Sequence, residues 1–139
     1  MPIRNESRLV SFDADSAVRT ARKTAQGTVY SVVEYTVEDF HPLYVADETI
    51  AMYKDREQMA THFKKIHTHV HMDLLEANTL VGNLFPMANR VEHITTAMDY
   101  LKLFRLYRDD EAVFLALGPE EPVEPLVRAM RPHVDQTTR

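Results

Sequence analysis

Four histidines, His62, His67, His69 and His71, fall within one short stretch of the chain. Imidazole is the commonest side-chain metal ligand, so the chemistry they would offer is binding of a divalent metal ion or sensing of pH near neutrality. Spacing decides how much of that is available. On a helix at about 100° per residue, His67 and His71 lie about 40° apart on one flank, and His62 and His69 lie on the other. One ion cannot then meet all four. His67 and His71 form a half-site at i and i+4, which needs a third ligand, and His93 is the candidate. Thr68 follows His67, so the His-Glu-x-x-His arrangement of metalloproteases is absent. As a strand, Ile66–Met72 would put His67, His69 and His71 on one face, but the apolar spacing around them is helical. The expectation is of boundary histidines with no cofactor, and the alternative is a metal site on His67 and His71.

Other constellations read as structure. Asp109, Asp110 and Glu111 suit a polar hairpin turn. Glu120, Glu121 and Glu124 surround the start of a helix, where negative charge complements the dipole. Ser31 has no Gly-x-Ser-x-Gly elbow, so it is expected to be a strand serine and not a nucleophile. With glycine only at 27, 82 and 118, no glycine-rich phosphate cradle can form. The absence of cysteine excludes thiolate chemistry and a disulfide scaffold.

The elements that must hold these residues follow from periodicity and punctuation. Asp13, Asp15 and Ser16 offer caps for a helix over about Ala14–Gln26, with Ala14, Ala17 or Val18, Ala21 and Ala25 inward and Gly27 as a left-handed stop. Thr28–Thr36 is β-branched and aromatic and reads as a strand. Val37–His41 reads as a turn and Pro42–Ala46 as a second strand. Met59, Phe63, Ile66, Val70, Leu74 and Ala77 define one buried face of a long helix over about Asp55–Ala77. Gly82–Asn89 is a loop expected to tuck at least one of Leu84, Phe85 and Met87 against the body. The stretch 90–107 fits two strands or one helix. Three antiparallel strands, Arg90–Ala97, Tyr100–Tyr107 and Ala112–Leu117, are favoured by the turn at 108–111 and by the short apolar run after it. Pro122 starts a last helix, Val123–Met130, which Pro132 ends.

This order, helix, two strands, long helix, three-strand meander, helix, resembles the roadblock and profilin-like α+β folds. That resemblance implies one roughly five-stranded antiparallel or mixed sheet covered by helices, whose free edge or a helix commonly forms a dimer. Ser31-Val-Val-Glu-Tyr35, Asp39-Phe40 and Leu43-Tyr44-Val-Ala-Asp47 resemble small uncharacterised haloarchaeal proteins, a likeness that implies no activity.

At 139 residues the chain fits one domain, with an ordered core over about 9–132 and mobile termini at 1–8 and 133–139. Charge is uneven: residues 1–27 carry +2, 28–60 carry −5 and the remainder −2, giving −5 in all. That balance opposes nucleic-acid binding. No apolar run suits a signal peptide or a membrane span, so a cytoplasmic protein is expected. The function expected is a non-enzymatic interaction or regulatory module. It would be a homodimer or bind a protein partner through a sheet edge, the long helix or the aromatic region around Tyr30, Tyr35, Phe40 and Tyr44. The alternative is a metal- or small-ligand-binding protein or small enzyme centred on His67 and His71.

Overall fold

A computed structural model describes residues 1–137 of the chain, so fraying of 138 and 139 lies outside the described residues. Its elements are β1 (Ile3–Arg4), α1 (Ala14–Thr24), β2 (Val29–Thr36), β3 (Phe40–Val45), α2 (Asp47–Ile50), α3 (Arg56–Thr79) with a π-helical turn at Leu80–Leu84, β4 (His93–Ala97), β5 (Lys102–Arg108), β6 (Glu111–Leu117) and α4 (Glu124–Val134). The strands form one antiparallel sheet in the order β1-β3-β2-β6-β5-β4. Stretch 90–107 is therefore two strands and a hairpin. The alternation of Phe104 and Leu106 against Leu103 and Tyr107 feeds opposite faces of the sheet, which a helix could not do.

α1 is capped by Asp13, whose carboxylate accepts the Ser16 amide at 3.1 Å. Its end differs from expectation, since no glycine has positive φ. Instead the Glu121 carboxylate accepts the amides of Gln26 and Gly27 at 2.9 and 2.8 Å, which stops the helix from the far end of the chain. Glu121 is thus a clamp on α1, and only Glu124 lies in the first turn of α4.

β3 starts two residues earlier than expected. Pro42 is tolerated inside it because the β2 pairing shifts register at Val32/Val33 and β1 covers only Tyr44 and Val45. β1 itself was not foreseen. Beyond it, the amides of Arg8 and Val10 and the Ser7 hydroxyl bond the fully buried Glu34 carboxylate. His41 Nδ1 lies 2.7 Å from the same carboxylate. Burial alone would raise this acid, but these bonds outweigh it and hold it below the ordinary glutamate range.

α4 also departs from expectation. Pro125, not Pro122, occupies its first turn, and the helix runs through Pro132 to Val134. Proline there forfeits one backbone bond. The buried stripe Leu126, Met130 and Val134 holds the last turn in place, and the Asp135 amide still reaches Arg131 O at 2.9 Å.

Two cores result, one on each face of the sheet. α1 and α4 cover the face carrying Val32, Phe104, Leu106 and Leu115. α3 covers the face carrying Val33, Tyr35, Tyr107 and Phe114. It packs with Met59, Phe63, Val70, Leu74 and Ala77 buried and Ile66 half-buried.

Candidate functional site

The long helix divides its histidines as the projection requires. His67 and His71 are half-buried on one flank with ring centroids 5.6 Å apart, whereas His62 and His69 are exposed. His67 Nε2 lies 2.8 Å from Thr36 O, and its ring packs against Phe40 and Tyr35. His71 Nδ1 lies 2.9 Å from His67 O, one turn back. One nitrogen of each ring is therefore engaged with backbone oxygen. His93 stacks near Phe104 and pairs with Leu106, which places it on the face covered by α1 and α4. The sheet thus separates His93 from His67 and His71, and it cannot complete their half-site. Among the described residues no group of three or more His, Asp or Glu side chains is placed to hold a metal ion.

The remaining candidate groups serve the fold. Asp109 and Asp110 form the exposed two-residue turn between β5 and β6, with Asp109 left-handed at φ 54. Glu111 accepts the Ser11 amide and hydroxyl. Ser31 lies in β2 opposite Ala116.

α3 crosses the strands toward their Thr36 end. It meets Phe40 through Phe63 and reaches β5 through an Asp73–Arg105 ion pair at 3.2 Å. The other end of this sheet face is only partly covered, by α2 and the start of α3. There Ser31, Ala116 and Leu103 floor an apolar groove of about 520 Å³, walled by His62, Ile66, Met52 and Tyr100. Tyr53 Oη and His62 Nδ1 lie 2.6 Å apart at one wall. Burial raises the Tyr53 phenol above its ordinary range. Sequence periodicity missed this groove because it is defined by what does not cover the sheet.

A second feature lies at the far end of α3. Leu84, Phe85 and Met87, of which at least one was expected to tuck inward, are 61%, 53% and 82% exposed. They follow α3 and precede β4, which is the free edge of the sheet. Exposed apolar clusters and unpaired strand edges are features that protein interfaces use. Isolated helix periodicity could not reveal it, because a loop's apolar residues are equally able to turn inward.

No family model matches the chain, and no curated protein matches it. Among solved structures it is similar to a Roadblock/LC7 domain from Streptomyces avermitilis. The TM-score is 0.57 at 12% identity, over 90% of this chain and 92% of that one. The chain has a roadblock-like fold. The residues that suggested a haloarchaeal likeness form its β2–β3 hairpin and the start of α2. No helix among the described residues is long and apolar enough to cross a membrane.

Proposed function

We propose that this chain is a non-enzymatic interaction and regulatory module of the cytoplasm that works as a homodimer joined through β4 and the end of α3. The observation that carries this reading is the exposed Leu84, Phe85 and Met87 cluster in the segment that leads into the free β4 edge. Antiparallel pairing of two β4 strands about a two-fold axis sets the His93 end of one copy against the Ala97 end of the other. Leu84–Met87 of the first copy then faces Leu101 and Leu103 of the second, at the partly covered end of its sheet. Each copy supplies what the other lacks, and the contact is closed. The roadblock-like fold supports the reading in kind.

The 520 Å³ groove favours a second reading, a small apolar ligand, since such volumes are typical of ligand sites. That site would centre on Tyr53 and His62 and not on His67 and His71. One experiment separates the two. In light scattering the native chain should have twice its monomer mass, and Leu84→Glu with Phe85→Glu should reduce it to the monomer with helical content unchanged. A monomeric native chain at micromolar concentration would leave the ligand reading standing alone.

A further inference from the structure

We infer that the cleft between β1 and α1 docks an acidic segment of a partner protein. Residues 1–27 carry a basic excess in a chain of net charge −5. Arg4 sits on β1 opposite Tyr44, and Arg19 and Arg22 lie one turn apart on α1. Together they line an open cleft of about 410 Å³ whose apolar lining is Val18, Leu43 and Tyr44. The Arg22 guanidinium is held 4.1 Å above the Tyr44 ring, which fixes it in place without neutralising it.

Four other arginines of the chain are used differently. Arg90, Arg105, Arg128 and Arg131 each pair with a carboxylate. Among the described residues Arg4, Arg19 and Arg22 make no ion pair, though Arg19 bonds the Ser16 hydroxyl and attracts the Asp13 carboxylate at longer range. Two acids also line the cleft, Asp15 and Glu6. The Asp15 carboxylate accepts the Ser7 amide, and the three guanidiniums outnumber the two carboxylates.

The chemistry favours peptide carboxylates over a single phosphate. A phosphate site converges its donors, backbone amides or guanidiniums, on one point. Here the helix N-terminus is occupied by Asp13, and the cations come from two elements across an apolar lining. Carboxylates spaced by aliphatic side chains match that pattern, and the acidic remainder of the chain repels nucleic acid. The cleft lies at the β1 edge, the opposite side of the sheet from β4, so this inference is independent of the dimer.

Fluorescence anisotropy tests it with the full chain and a short fluorescein-labelled peptide of glutamates interspersed with leucines. Binding should saturate and weaken with added salt. Arg19→Gln with Arg22→Gln should weaken it roughly tenfold, as two partly exposed charge contacts would. Arg4→Gln should weaken it in the same direction without disturbing the Tyr44 stack. Arg128→Gln, which removes an arginine already paired with Glu124, should leave it unchanged. Absence of saturable binding, an equal loss in Arg128→Gln, or competition by oligouridylate or inorganic phosphate as strong as by unlabelled peptide would overturn the inference.

Discussion

On the face closed by α1 and α4, Val10, Phe12, Phe104, Leu106 and Leu115 are all inaccessible to solvent. On the face under α3, Ile66, Ile94 and Leu103 stay half-exposed, and Arg105, only 4% exposed, lies beside the hydroxyls of Tyr35 and Tyr107. The difference comes from helix number. Packed helices sit about 8–10 Å apart and strands about 4.8 Å, so two helices cover most of a six-stranded face and one cannot. The alanine stripe of α1 lets both helices approach closely on the first face. The closed face holds the fold together, and the open one is where association and ligand chemistry have room.

The largest test of this contrast is a pair of truncations. Phe104→Ala on the closed face should cost about 3–5 kcal/mol, as buried aromatic deletions do. Ile66→Ala at the edge of the open groove should cost about 1 kcal/mol, because its side chain is already partly in water. Thermal or urea unfolding measures both. Equal losses would show that the α3 face is as tightly packed as the other.

Next in size is the ion pair that fastens α3 to β5. Asp73→Leu strands a buried guanidinium and should destabilise by about 2–3 kcal/mol, less than for a fully enclosed pair because Asp73 is partly exposed. Arg105→Met in the same chain should recover most of that loss, since an apolar pair leaves no charge unpaired. Failure of the second change to rescue would mean that Arg105 is stabilised by its tyrosine neighbours instead. Burial raises both phenols, so they remain neutral and serve only as dipoles.

Glu34 gives the corresponding test at the closed face's rim. Its folded carboxyl titrates below the ordinary value of 4.5, so its contribution is complete above that pH and is lost as pH falls through the folded value. The native chain should therefore lose stability in acid more steeply than Glu34→Gln. Parallel curves for the two proteins between neutral pH and the acid range would exclude Glu34 as the acid-sensitive tie of residues 7–10.

The smallest expected effect concerns the histidines of α3. His67→Gln with His71→Gln should change stability by less than about 1 kcal/mol and leave the dimer mass unaltered. Loss of a stoichiometric metal on this double change, read by elemental analysis of untagged protein, would restore the metal reading that the backbone contacts of both rings disfavour.

The sequence by itself determined the local elements. Asp13 was legible as a cap because a carboxylate can satisfy the first free amides wherever the chain lies. The spacing of Met59 through Ala77 gave the buried side of α3, and the same angular arithmetic split its histidines. The turn at Asp109-Asp110 was legible because it needs only polar residues and one left-handed position. What failed were features whose cause lies far along the chain. Glu121 ends α1 from about a hundred positions away, Glu34 holds the N-terminal arm, and the burial of Val134 carries α4 through Pro132. His93 looked like a partner for His67 until the pleat put it on the other side of the sheet. The groove, the exposed Leu84–Met87 cluster and the arginine cleft belong to the same class. Periodicity reports which side of an element is apolar, but only the assembled sheet decides whether anything in the chain is left to cover it.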